Sequence, residues 1–283
     1  MEDNFTNLTA AVVGLGLMGG SYAKRLTALG MRVVGIDRTK VVEAQALADG
    51  AIAAAGTAHL GEAALVIFAT PERVTEEFVR AHRDAFRPGA VLTDAAGVKE
   101  GGAARIEALL REDLDFVSAH PMAGREGAGY GRSSPEIFQG CSYILVPSAR
   151  NRPGALALVR ELAAALGAAR IEEAAPEAHD AILAYTSGLP HAAAAAVMAS
   201  DSWREDAGHF AAGGFRDVTR IADINAALWT GLFLENRANM LRELDRYMAA
   251  LERLRRALDD RDAAALQDFF TLAGERKRRL IHG

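Results

Sequence analysis

Glycine recurs at positions 14, 16 and 19 of the run Gly14-Leu15-Gly16-Leu17-Met18-Gly19, directly after the apolar stretch Ala10 to Val13. A helical pattern opens behind it, near Gly20. Glycine at these spacings permits a tight turn, close approach of backbone to a pyrophosphate, and close packing of helix on strand. The phosphates then lie at the positive end of the helix. Eighteen residues after Gly19, where the next apolar run ends, stands Asp37. A carboxylate there accepts the ribose hydroxyls of NAD. Asp37 repels the additional phosphate of NADP, and Arg38 beside it pulls the other way, so NAD is the expected cofactor. Further on, Phe68-Ala69-Thr70-Pro71 ends another apolar run, where small residues face a bound dinucleotide. The expected cofactor contacts are therefore Gly14, Gly16, Leu17, Met18, Gly19, Asp37, Arg38, Thr70 and Pro71.

A nucleotide site alone does not define a reaction. The segment most able to supply one is Ser118-Ala119-His120-Pro121-Met122-Ala123-Gly124-Arg125-Glu126-Gly127. It starts at the C-terminal end of an expected strand, the edge at which ligands of open parallel sheets bind. An isolated histidine is more often a structural hydrogen-bonder than a catalyst. At this edge His120 is expected to be a general base, because alcohol oxidation releases a proton and imidazole titrates near neutrality, at about 6.5.

The elements that must position these groups are legible from periodicity. Ala10 to Val13, Arg32 to Ile36, Ala64 to Ala69, Ala90 to Thr93, Phe116 to Ala119 and Ser142 to Val146 read as buried strands, with a last short one at Ala169 to Ile171. Helical segments such as Ser21 to Leu29 and Val41 to Ala48 lie between them, with Gly30 and Gly50 as stops. Strands alternating with helices predict an α/β Rossmann-type, doubly wound parallel sheet. After Pro176 the strand signals cease, which predicts an all-α C-terminal domain and a division into residues 1–172 and 173–283. Leu241, Leu244, Met248, Leu251, Leu254 and Leu258 recur at spacings of three and four, giving one helix with an apolar stripe.

Composition narrows the remaining classes. The 32 Lys and Arg against 37 Asp and Glu give a net charge of −5, which offers no cationic field to a nucleic acid. The one cysteine, Cys141, has no partner for a disulfide or a zinc site, and no metal is expected. The short acidic stretch Met1 to Asn7, and the lack of an apolar run near the roughly 18 residues of a membrane span, predict an untargeted cytoplasmic protein.

His-Pro-Met-Ala-Gly at 120–124 resembles the catalytic histidine motif of the prephenate dehydrogenase family. Three further segments are similar to that family in the same order: Thr93-Asp94-Ala95-Ala96-Gly97-Val98-Lys99, Gly213-Gly214-Phe215-Arg216-Asp217-Val218-Thr219-Arg220, and Leu228 to Asn236. The resemblance runs from about residue 10 to residue 250. It implies that His120 takes the ring hydroxyl proton as hydride passes to NAD and the ring carboxylate leaves as carbon dioxide. It implies that Arg220 pairs with a substrate carboxylate, that His191 contacts the substrate, and that Arg216 and Glu126 order the site. The substrate it implies is prephenate or its amino counterpart arogenate, which differ only on the side chain. Relatives form dimers through the helical region, so a homodimer is expected, with its site in the cleft between domains.

Two positions depart from the family pattern. Gly97 stands where many relatives carry a serine that hydrogen-bonds the catalytic histidine, and Gly188 stands where many carry another histidine. The expectation is a roomier pocket with fewer direct contacts. Another acid dehydrogenase on the same scaffold would be expected to place a lysine base around residues 180–195, yet no lysine occurs between Lys99 and Lys277.

Overall fold

A computed structural model describes residues 5–125 and 127–282, so Glu126 lies outside the described residues. The N-terminal part is one sheet of β1 (Thr9–Val13), β2 (Arg32–Ile36), β3 (Ala54–Ala55), β4 (Leu65–Phe68), β5 (Val91–Asp94), β6 (Asp115–Pro121), β7 (Ser142–Val146) and β8 (Arg170–Glu173). Their spatial order is β3-β2-β1-β4-β5-β6-β7-β8. The order in which strands are added reverses at β1, between β2 and β4, so a crevice opens beyond the C-terminal ends of β1 and β4. β3 was absent from the expected strands because two alanines carry no periodicity.

The central strands β1 and β4 are almost wholly apolar and buried because helices cover both faces. Ala10 and Val12 pack on one side with Tyr22 and Leu26 of α1 (Leu17–Ala28) and with Val159 and Leu162 of α5 (Pro153–Leu166). Ala11 and Val13 pack on the other with Val79 of α3 (Glu72–His82) and Ile106 of α4 (Gly102–Leu109). The remaining helix of this part, α2 (Lys40–Ala48), closes on the β2 side. Gly30 and Gly50 stop α1 and α2 with positive φ angles of 82° and 67°, a region that costs glycine little.

One pairing departs from an all-parallel sheet: β6 and β7 run antiparallel, with His120 opposite Ile144. The physical reason lies in the link. Parallel neighbours need a crossover, commonly a helix, whereas the described residues among 122–141 carry only a short 3-10 turn at Tyr130–Arg132 and fold back beside β6. The antiparallel return places the end of β6, and His120 with it, beside the helical part of the chain.

That part begins with α6 (Pro176–Leu183), a single π turn at Ala184–Gly188, and α7 (Leu189–Met198). Pro190 lacks the N–H that a regular helix needs there, and π turns often mark functional sites. By length and composition, Pro176–Met198 would pass for a membrane span, contrary to the expectation that no such run exists. Its first turns nevertheless carry the buried pair His179 and Asp180. Then follow α8 (Gly213–Thr219), α9 (Ala226–Glu235), α10 (Arg237–Asp259) and α11 (Ala263–His282).

Candidate active site

The turn after β1 is built as a dinucleotide cradle. Gly14 has φ of 87°, and a Cβ placed on it would lie 2.6 Å from Thr70 Cγ2 and 2.8 Å from the Ala69 carbonyl oxygen. A Cβ on Gly19 would lie 1.7 Å from the Gly14 carbonyl oxygen, so turn and helix touch backbone to backbone. On Gly16, by contrast, a Cβ meets nothing within 4 Å, which leaves open space before the N-terminus of α1. The first N–H groups of any helix have no carbonyl within it, and here they face that space. At the end of β2, Asp37 accepts from the backbone N–H of Leu15 at 2.8 Å and of Thr39 at 2.8 Å. These bonds aim its carboxylate at the turn with lone pairs to spare for ribose hydroxyls, and this donor set fits a dinucleotide. Arg38 is exposed beside it. Thr70 hydrogen-bonds Thr75, 2.8 Å away, and Pro71 caps α3. Leu17 and Met18 form the first turn of α1, which starts at Leu17 rather than near Gly20.

At the far end of the same edge, the half-buried His120 ends β6. Its Nδ1 lies 3.1 Å from Nε2 of His179, whose own Nδ1 lies 2.7 Å from Asp180 Oδ1. Asp180 is also held by the backbone N–H of Lys99 at 2.9 Å and of Glu100 at 2.8 Å. The buried Lys99 ammonium donates to Asp94 Oδ2 at 2.7 Å and to the Ala119 carbonyl at 2.6 Å. Asp94 in turn accepts from Ser118 Oγ and from the N–H of Ala119. The network thus fixes the strand end on which His120 sits. Burial, then the nearby Lys99 charge and then His179 hold the His120 imidazole well below its ordinary pKa. The expectation of an unperturbed value is corrected accordingly. Lys99 itself is lowered by burial, opposed by its pairing with Asp94.

Beside His120 a cavity of about 180 Å³ lies between the sheet and the helical part, walled by Val98, Leu183, Trp229, Leu232, Phe233 and Met240. Its polar edge is His120, Ser187 and Asn236. The roomier pocket expected from the two glycines is not what the structure builds. A Cβ on Gly97 would lie 2.9 Å from Leu232 Cδ2, and one on Gly188 only 2.3 Å from Met240 Sδ. Larger apolar side chains from α9 and α10 have moved into the space those glycines release.

The other predicted residues stand further out. His191 donates through Nδ1 to the Ser187 carbonyl at 2.8 Å and stacks on Trp229, with ring centroids 3.8 Å apart. It backs the cavity wall. Arg216 and Arg220 are exposed on α8 and on the 3-10 turn that follows it, and neither is among the described residues lining the cavity. The sequence reading missed His179, Asp180, Asn236 and Met240. The adjacent His-Asp pair in an otherwise apolar stretch was a usable signal. Asn236, whose Nδ2 donates to the Asp180 carbonyl at 2.8 Å, gave none, since only packing brings it there.

Comparison with known proteins covers both parts of the chain. Residues 22–172 match the prephenate dehydrogenase nucleotide-binding domain, and residues 175–272 match the prephenate dehydrogenase dimerization domain. A prephenate dehydrogenase of Bacillus subtilis is 31% identical over 276 residues, covering 94% of this chain and 74% of the relative. A cyclohexadienyl dehydrogenase of Zymomonas mobilis is 31% identical over 271 residues, covering 92% of each. Among solved structures, a prephenate dehydrogenase from A. aeolicus in complex with hydroxyphenyl propionate and NAD+ aligns with a TM-score of 0.87 at 26% identity. That alignment covers 98% of this chain and 100% of the other. The two family matches run head to tail through sheet and helices alike, in the order the motifs predicted, and the chain belongs to the prephenate dehydrogenase family.

Proposed function

We propose that this chain catalyses the NAD-dependent oxidative decarboxylation of prephenate to 4-hydroxyphenylpyruvate, a step of tyrosine biosynthesis. The observation that carries the reading is His120, placed at the C-terminal sheet edge between a dinucleotide cradle and an apolar cavity. Gly14, Gly16, Gly19 and Asp37 would hold NAD, which when bound would supply the hydride acceptor. Neutral His120 takes the proton of the ring hydroxyl as that carbon becomes a carbonyl. Loss of the ring carboxylate as carbon dioxide then leaves a phenolate, to which the proton on His120 returns. Charge balances without net proton release, and the gain of aromaticity makes the step irreversible. The apolar walls exclude water while the ring changes.

In this reading Arg220 pairs with a substrate carboxylate, a role suited to its two-pronged guanidinium. Arg216, His191 and Glu126 order the substrate, His191 through its stack on Trp229. Residues 1–172 form the dinucleotide-binding unit and 173–283 the substrate-binding and dimerisation unit. The end of β8 at Glu173 and the opening of α6 at Pro176 support that division. The free thiol of Cys141 fits a reducing cytoplasm. The test is to follow NADH and NADPH formation with prephenate and arogenate separately, on the wild-type chain and on Arg220→Ala. Prephenate with NAD should be the preferred pair, and arogenate in its place would reassign the substrate. Arg220→Ala should lower kcat/KM by about 30- to several-thousand-fold, mainly through KM. Loss of NAD binding instead would make Arg220 a structural residue.

A further inference from the structure

We propose that His179 and Asp180 are positioning residues that set which nitrogen of His120 is free to accept the substrate proton. The inference rests on the reading of His120 as the base and adds how that base is held. Among the described residues, residue 97 offers His120 no side chain. A Cβ there would already be 3.9 Å from His120 Cε1, and Leu232 fills the space beyond. Orientation must therefore come from the other side of the ring, where His120 Nδ1 meets His179 Nε2 at 3.1 Å.

The direction of that bond follows from its far end. Both oxygens of Asp180 accept backbone N–H groups, from Lys99 and Glu100. A carboxylate so engaged is an acceptor only, so the Nδ1 of His179, 2.7 Å away, carries the proton. His179 is buried, 3% exposed, and taken as the neutral ring it carries that one proton only. A neutral imidazole protonated on Nδ1 offers a lone pair on Nε2. His120 must then donate from its own Nδ1, which leaves its Nε2 bare. The relay also accepts the Nδ1–H bond more strongly once His120 becomes an imidazolium, so it steadies the ring in both states it passes through. Asn236 completes the arrangement by donating to the Asp180 backbone carbonyl at 2.8 Å, which ties the relay to the start of α10.

The decisive measurements are the nitrogen-15 shifts of His120 at neutral pH and the kinetics of His179→Leu and His179→Gln. Wild-type His120 should be protonated on Nδ1 and bare on Nε2, and His179→Leu should release it toward the opposite tautomer, which is the commoner one in water. His179→Leu should lower kcat by about 10- to 100-fold, with KM for NAD and for prephenate changed less than about threefold. Glutamine can accept from His120 with its carbonyl and donate to Asp180 with its amide, so His179→Gln should recover most of the lost kcat. A bare Nδ1 on wild-type His120 would overturn the relay, even where the leucine variant does not fold. So would full turnover in His179→Leu, a loss confined to KM, or a glutamine variant no better than leucine. Full activity in His120→Asn is a different result, which would sink the assignment of the base and leave the tautomer measurement standing.

Discussion

A base that must lose its proton before each turnover works best when its surroundings disfavour the charged ring, and His120 has such surroundings. Burial, the Lys99 charge and His179 all push its pKa down. In the proposed mechanism the working form is the neutral one, so activity should be present above that depressed pKa and lost as pH falls through it. Turnover of prephenate should consequently stay level across the neutral range and decline only well below the ordinary imidazole value of about 6.5. A pH profile of kcat/KM checks this, and a midpoint at or above the ordinary value would contradict the site's electrostatics. His120→Asn should lower kcat by about 100- to 10,000-fold while NAD affinity, read by titration, stays within about twofold. The residue types involved were legible in the sequence. The shift was not, because Lys99 reaches His120 only when β5 and β6 lie side by side.

At the scale of elements, two strand ends and one helix start make the proposed cofactor site, and in that proposal Asp37 chooses the dinucleotide. Its carboxylate is anchored by the Leu15 and Thr39 N–H groups. Asp37→Ser should therefore weaken NAD by about 10- to 100-fold, the worth of one or two charge-assisted hydrogen bonds. NADP should bind better than before, with Arg38 free to meet the extra phosphate. Equilibrium titration with both dinucleotides is the check, and unchanged selectivity would place the ribose elsewhere. The helical elements taught a different lesson. Gly188 and Gly97 read as room for substrate, yet side chains from α10 and α9 occupy that room. Sequence spacing cannot report which distant helix fills a gap.

For the whole molecule, the apolar stripe of α10 is the informative feature. A stripe of this kind commonly faces the core of its own domain, but in the single chain Leu241, Met248, Leu251 and Leu258 are 45–59% exposed, while Asn239, Met240 and Glu243 take the buried side. Ile182, Tyr185, Val197 and Met198 on α6, the π turn and α7 are also exposed. Surfaces this apolar mark association sites, and the match of residues 175–272 to a dimerization domain agrees with a homodimer. Light scattering should give twice the 30.0 kDa of one chain. Met248→Asp with Leu251→Asp should shift the mass toward one chain, with NAD still bound by the sheet part. A monomeric wild type would leave the stripe without a partner and reject the dimer.

The sequence by itself determined most strands of the sheet, the glycine turn, the places of Asp37 and His120 at strand ends, and the change from strands to helices after Pro176. Each of these depends on local pattern: period two or near 3.6, glycine where backbone must approach backbone, a histidine at a strand end. Tertiary structure alone decided the antiparallel return of β7, the relay from His120 through His179 to Asp180, the burial of Lys99 and the filling of the cavity by Leu232 and Met240. Those features join residues far apart in the chain, 81 positions for Lys99 and Asp180 and more for Gly97 and Leu232. Their energies come from desolvation and close packing, which exist only once the elements have met.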